Sequence, residues 1–251
     1  PRFFIDYTPT VGETAVIEGG DARHIGGALR MTVGESLTLC DGKGTDYACT
    51  ITAVEKERVT LLVNAAAPSY SGPSLAVTLY MGLPKGDKME LIIQKAVELG
   101  VTAIVPVSTA RCIVKLDGKD AAKKQARWQK IAASAAEQSG RGRIPAVRVL
   151  SGFQAALVET PISWKTALAR FETEKTLLCY EGGGAPIGKL VSPADTAISL
   201  VVGPEGGFDA AEVEAVTSVG GQIATLGPRI LRCETAPLCA LSAVMYDAGE
   251  F

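Results

Sequence analysis

The residues whose types and order could bind or transform a small molecule lie in three glycine-bearing stretches. Val201-Val202-Gly203-Pro204-Glu205-Gly206-Gly207-Phe208 reads as a buried strand running into a glycine-rich turn and then a helix start. Glycines there let the backbone approach a ligand and leave its amides free to bind it, although the same residues would also make a plain tight turn. The stretch has neither the Gly-Lys-Ser/Thr ending of a P-loop nor the Gly-x-Gly-x-x-Gly spacing of a dinucleotide fold. A second stretch, Leu226-Gly227-Pro228-Arg229-Ile230-Leu231-Arg232-Cys233-Glu234-Thr235-Ala236, sets two aliphatic residues between two arginines. Loops rarely hold such residues unless the apolar side chains line something; the competing role is a helix cap with Ile230 and Leu231 packed on the core. The third stretch is Tyr80-Met81-Gly82-Leu83-Pro84-Lys85-Gly86-Asp87.

All three need elements to hold them. Up to about residue 67 the pattern is β-like, with apolar runs at residues 14–17, 37–40 and 59–63 separated by Gly/Asp turns. Residues 65–73, small and rich in Pro, Gly and Ser, read as a linker, which divides the chain into 1–68 and 69–251. Beyond it, apolar runs at 75–81 and 103–107 flank a helical stretch, the grammar of an α/β domain with a mainly parallel sheet. In that helix Asp87 and Glu90 predict a capping box, Gly100 predicts the end, and Met89, Ile92, Ile93, Ala96 and Val97 form one apolar stripe. A second helix through Trp128, Ile131, Ala132 and Ala135 is expected to stop at Arg141-Gly142-Arg143-Ile144-Pro145. Strands are expected at 176–180 and 197–202 and near Ile223, a capped helix from Asp209 to about Val219, and a last helix from Glu234 or Thr235 to Tyr246.

Composition excludes several classes. At 251 residues, 47% hydrophobic and 21% charged, the chain is globular rather than disordered. A net charge of -2 means that any nucleic-acid contact must come from local clustering of Lys and Arg. Six cysteines with no Cys-x-x-Cys pair argue against a zinc ribbon or a disulfide framework, so no metal is expected and a reducing cytoplasm suits them. No apolar run is long enough to span a bilayer, and residues 1–4 lack the pattern of a signal peptide, so the expectation is a soluble chain that is not exported. His24, the one histidine, has no nucleophile elbow near it.

The three stretches occur in order with Arg2-Phe3-Phe4, Arg23-His24-Ile25, Leu29-Arg30, residues 92–101, Arg111, Glu137-Gln138-Ser139, Arg141 and Pro145. Together these motifs resemble the RsmE-type family of small-subunit ribosomal RNA uridine N3-methyltransferases, in the SPOUT superfamily. The resemblance implies a PUA-like β-barrel followed by an α/β domain with a deep C-terminal trefoil knot, a bent S-adenosyl-L-methionine (SAM) cofactor, and an obligate homodimer acting on small-subunit ribosomal RNA, within the assembled subunit. Three positions depart from the family pattern: Ala28 for valine, Ser134 for glutamate and Cys233 for threonine.

The same resemblance assigns the sites. Leu83, Gly203, Pro204, Glu205, Gly206, Gly207, Leu226, Gly227, Ile230, Leu231, Thr235 and Ala236 are expected at the cofactor, with Leu83 closing the pocket. Methylating uracil at N3 leaves negative charge on the ring, so Arg232 is the candidate to stabilise the reacting form, with Glu234 orienting it or helping to take the proton. Arg2, Arg23, His24, Arg30, Lys85, Lys88, Arg111, Arg141 and Arg143 are the expected contacts to RNA. Two alternatives stay open: a ribose 2′-O-methyltransferase of the same superfamily, and a non-catalytic RNA-binding assembly factor.

Overall fold

The computed structural model describes residues 1–114, 118–147 and 162–251. The chain divides into two compact units: Pro1–Gly72 with Ala136–Ile144, and Pro73–Ala135 with Pro145–Phe251.

In the first unit β1 (Arg2–Phe4), β2 (Thr14–Glu18), α1 (Gly19–Arg23), β3 (Ser36–Cys40), β4 (Thr45–Val54) and β5 (Arg58–Pro68) follow one another. The period-2 alternation turns Ala15 and Ile17 of β2 and Val59, Leu61 and Val63 of β5 into one core with Phe3, Leu37, Leu39 and Ile51. The sheet order is β1-β3-β4-β5-β2, so β1 and β2 remain its two edges and the module is a half-barrel. A two-residue-period reading overlooked the helical turns between β2 and β3: α1 and the π-type turn His24–Ala28, which bury Ala22 and Ile25. The expected linker also starts too early, since Ala65 to Pro68 continue β5 and pair with Ala48 to Thr45. Alanines there carry exposed side chains while the ladder satisfies their backbone groups.

The second unit adds β6 (Ala76–Gly82), α2 (Lys88–Glu98), β7 (Ala103–Ser108), α3 (Gly118–Gln138), β8 (Ala146–Val147), β9 (Ile162–Ser163), α4 (Trp164–Phe171), β10 (Thr176–Cys179), β11 (Ala185–Pro186), β12 (Ala197–Val202), α5 (Ala210–Ser218), β13 (Gln222–Thr225) and α6 (Ala236–Asp247). The last turn of α3 belongs to the first unit. The sheet order is β11-β13-β10-β12-β6-β7-β8, with β9 on β7, and every pairing among the described residues is parallel. Its central strands β6, β7, β10 and β12 are buried on both faces. Register puts Leu178, Val201, Tyr80 and Val105 in one row, in a core with Phe171 of α4 and Val216 of α5. The alternate row, Leu177, Leu200, Leu79 and Ile104, is fully buried too, and α6 packs against both β12 and α2.

Helix ends follow the sequence with two corrections. Asp87 stands at the start of α2 but its side chain makes no capping hydrogen bond; Glu90 instead pairs with Arg127 at 2.8 Å. An ion pair with a long arginine reaches Glu90 where the capping geometry does not. α3 ends at Gln138 and not at the proline, because Gly140, at φ 73°, lets Gly140 N–H reach Glu137 O and Arg141 N–H reach Ala136 O. The five buried residues of α2 are those of the expected stripe. At α5 the capping box is complete: Glu212 N–H donates to Asp209 at 2.8 Å and Glu212 Oε2 accepts Asp209 N–H at 3.1 Å. The other oxygen of Glu212 accepts Ala110 N–H at 2.8 Å, which ties α5 to the loop after β7.

Candidate active site

Strands β10, β12 and β13 are parallel, with Cys179 opposite Val202 and Ala224, so they end within one residue of one level, at Cys179, Val202 and Thr225. Ligands of open α/β sheets bind outside the carboxyl ends of such strands. A cavity of about 570 Å3 opens there. Its wall is made of Tyr180 and Glu181 after β10, Gly203 to Phe208 after β12, and Leu226 to Cys233 after β13, with Ala236 and Lys88 from α6 and α2.

Of the residues expected at the cofactor, Gly203, Pro204, Glu205, Gly206, Gly207, Leu226, Gly227, Ile230, Leu231 and Ala236 line this cavity. Leu83 and Thr235 do not. Leu83 is buried, its N–H bound to Val107 O, and Thr235 is exposed beside the first turn of α6. The loop after β10 was missed, although Cys179-Tyr180-Glu181-Gly182-Gly183-Gly184 repeats the grammar of strand then glycines. Cys179, Val202, Phe208, Thr225, Pro228 and Arg229 are further wall residues that sequence reasoning left out.

The glycines have work of their own in holding the loops against one another. A Cβ on Gly207, which sits at φ 64°, would come 2.8 Å from Glu181 Oε1. One on Gly206 would come 2.9 Å from Arg111 Cβ, and Arg111 also donates to Gly206 O at 3.0 Å. Arg111 is thus a prop behind the glycine loop.

The charged groups are arranged differently from the expectation. Glu234 does not pair with Arg232: its carboxylate lies 3.2 Å from Lys88 Nζ and accepts the Cys233 thiol at 3.3 Å. Its own backbone N–H, the thiol and Lys88 hold its pKa below the usual carboxylate range, which makes it a weak proton acceptor. Glu205 takes Lys88 at 3.0 Å and Lys85 N–H at 3.1 Å. Partial burial opposes its charge, but Lys88 and the backbone N–H groups of Glu205 and Lys85 outweigh it and hold its pKa down to about 2. Burial first, then the carboxylates of Glu234 and Glu205, push the Cys233 thiol up to about 12, so it serves as a neutral donor. Arg232 is exposed, with no side-chain partner among the described residues, while its carbonyl accepts the N–H groups of Thr235 and Ala236 at 2.9 Å. Ser134, the other departure near a motif, is exposed on α3 and takes no part in the cavity.

The expected RNA contacts separate into two groups. Arg2 is built into the first unit by a bidentate pair with Asp46 at 2.5 and 2.7 Å, and Arg141 is 5% exposed. Arg141 lies in the segment that docks on residues 69–71: Ser71 donates to Gly140 O at 2.7 Å, and a Cβ on Gly142 would lie 2.1 Å from Ser69 Cβ. Burial lowers the Arg141 pKa to about 10. Arg23, His24, Arg30 and Arg143 are exposed on that unit, Arg23 in a solvent-facing pair with Glu57 and Arg30 at φ 52°. Lys85 and Arg111 are exposed on the second unit. Lys88 is committed to the two glutamates. Among the described residues no group of three His, Cys, Asp or Glu could hold a metal ion, and no helix is long and apolar enough to cross a membrane.

Comparison with known proteins gives this geometry its relatives. Residues 71–245 match the model of an RNA methyltransferase domain and residues 17–64 that of an RNA methyltransferase PUA domain. The chain is 41% identical to ribosomal RNA small subunit methyltransferase E of Bacillus subtilis, over 98% of this chain and 96% of that one. It superposes on the same enzyme from Neisseria gonorrhoeae, solved with S-adenosyl methionine bound, with a TM-score of 0.85 and 38% identity, covering 98% of this chain and 97% of that chain. A Legionella pneumophila structure, also in complex with SAM, aligns with a TM-score of 0.83 and 30% identity over 98% of this chain and 96% of that chain. With matches of this extent in both units, the chain belongs to the RNA methyltransferase family of ribosomal RNA small subunit methyltransferase E.

Proposed function

We propose that this protein transfers the methyl group of SAM to N3 of a uridine in small-subunit ribosomal RNA. The observation that carries the reading is the cavity at the level ends of β10, β12 and β13, walled by backbone and apolar groups and rimmed by the unpaired Arg232. The chemistry of the wall fits the cofactor. Leu226, Leu231, Ala236 and the backbone of residues 203–207 offer an apolar slot with peptide groups for an adenosine, and Glu181 offers a carboxylate for an amino group. When bound there, SAM supplies an electrophilic methyl on a sulfonium. In this reading the loops after β12 and β13 form the knotted cradle of the SPOUT superfamily.

What the chain itself does is position and polarise. Arg232 faces the acceptor base and stabilises the negative charge that forms on the uracil carbonyls when N3 loses its proton. Glu234, already held by Lys88, is an anchor of the α6 entry and not the proton acceptor. Arg23, His24, Arg30 and Arg143 of the half-barrel unit, with Lys85 and Arg111, contact phosphates, whereas Arg2 and Arg141 shape that unit. Pro1–Gly72 with Ala136–Ile144 is then the RNA-binding domain, and Pro73–Ala135 with Pro145–Phe251 the methyltransferase domain, of a cytoplasmic enzyme. Leu91 of α2 and Tyr246 of α6, 44% and 72% exposed on helices that pack together, support a homodimer.

The test is transfer of labelled methyl from SAM to three acceptors lacking the native modification: assembled small subunits, their deproteinised RNA, and large subunits. Incorporation is expected into small subunits, at about one methyl per particle, and falling steeply as salt rises. Equal labelling of large subunits would contradict the substrate assignment.

A further inference from the structure

Lys88 is the one side chain that touches both loops through charged groups among the described residues. It stands at the first position of α2, donates to Glu205 in the loop after β12 at 3.0 Å, and pairs with Glu234 at the entry of α6 at 3.2 Å. Its ammonium also reaches Cys233 Sγ at 3.5 Å, and it lines the cavity. The three charged side chains are between 23% and 32% exposed, so the cluster is neither buried nor freely hydrated. Two carboxylates against one ammonium leave this cluster with one net negative charge. Glu205 and Glu234 would repel one another if the ammonium were absent, and the two loops would separate at that point.

We infer that Lys88 is a positioning residue, which clasps Glu205 to Glu234 and so holds the two cofactor loops, and the charge between them, in place for methyl transfer. This rests on the reading of the cavity as the SAM site, and it differs from the phosphate contact that a surface lysine suggests. A lysine on a flexible stem suits the task because its three donors can serve two carboxylates and a sulfur at once.

Electrostatics gives the clasp a signature that loosening of the fold would not. SAM carries a sulfonium charge that the product, S-adenosylhomocysteine, lacks. Removing Lys88 makes the wall more negative by one charge, so binding of both ligands weakens while the preference for the charged one grows.

The experiment is calorimetric titration of SAM and S-adenosylhomocysteine into the wild type, Lys88→Met, Lys88→Arg and Glu234→Gln, with melting curves for each and RNA binding measured at two salt concentrations. The wild type must bind SAM; if it does not, the functional reading fails and not this one. For Lys88→Met the expectation is a loss of SAM affinity of about tenfold, with the ratio of the two dissociation constants moving about threefold in favour of SAM, the scale of a unit charge acting through a partly hydrated wall. Lys88→Arg recovers most of the affinity. Glu234→Gln, which opens one end of the clasp and leaves the other, loses about threefold, and it carries the test should Lys88→Met fail to fold. SAM binding unchanged in both variants would overturn the inference. Unchanged SAM binding in Lys88→Met combined with weaker, less salt-dependent RNA binding would overturn it in favour of a phosphate contact.

Discussion

Replacing Arg232 by alanine is expected to lower methyl transfer to small subunits by about 10²- to 10³-fold while leaving SAM affinity within about twofold, the size of effect seen when one donor to a developing oxyanion is lost. The main chain of Arg232 is fixed by two N–H groups of the α6 entry, so the side chain leaves a rigid base. Among the described residues it finds no carboxylate: the nearest candidate in sequence, Glu234, is taken by Lys88. A guanidinium kept unpaired at a cavity rim has its donors available for a substrate, and Arg232→Ala removes no contact that the described fold uses. Arg232→Lys should recover only part of the rate, because an ammonium lacks the planar fork that matches two oxygens. The comparison is made under single turnover with saturating SAM. A loss of cofactor affinity equal to the loss of rate would make Arg232 a contact to the cofactor instead of to the base.

A second large effect is expected from one added methyl group. Gly82 ends β6, and a Cβ there would sit 2.5 Å from Pro204 Cδ, 2.7 Å from Pro204 N and 3.1 Å from Gly203 C. These are ring and backbone atoms, which cannot rotate away, so Gly82→Ala must push the loop after β12 out of place. A misplacement near 1 Å in a site that works by positioning costs about 10²-fold in kcat/KM. The loss should appear in SAM affinity, with the β6 to β12 pairing retained. Gly72→Ala, where a Cβ meets nothing within 4 Å, serves as the control and should change neither affinity nor rate. Normal SAM binding by Gly82→Ala would mean that Gly203 and Pro204 do not form the cofactor wall.

These two positions show what the sequence made legible. The apolar runs that became β6, β7, β10 and β12 were readable because a parallel sheet buried on both faces needs continuous hydrophobic strands. The two loops of the cavity were readable because Gly203 to Gly207 and Ile230-Leu231 combine residues that have no reason to share a surface turn. What was hidden depends on neighbours distant in the chain. Glu234 looks in sequence like a partner for Arg232 two residues away, but the helix start turns it toward Lys88, far earlier in the chain. Leu83 was placed at the pocket from its motif, whereas the β6 end buries it under Val107. Arg141 read as an RNA contact because it belongs to a basic run, and only the docking of residues 136–144 on residues 69–71 makes it an interior group of the first unit. The SAM assignment came from the order of whole motifs, as no periodicity distinguishes one cavity ligand from another.

In the proposed reaction this cavity delivers a methyl group to the base, not the ribose, of a uridine in small-subunit RNA. Its most direct test is mass analysis of nucleosides digested from unmodified small subunits after reaction with the protein and isotopically labelled SAM. Label is expected in 3-methyluridine, accumulating about 10²- to 10³-fold more slowly when Arg232→Ala replaces the wild type. Label in a 2′-O-methylated nucleoside, or no label from a protein that binds SAM normally, would contradict it.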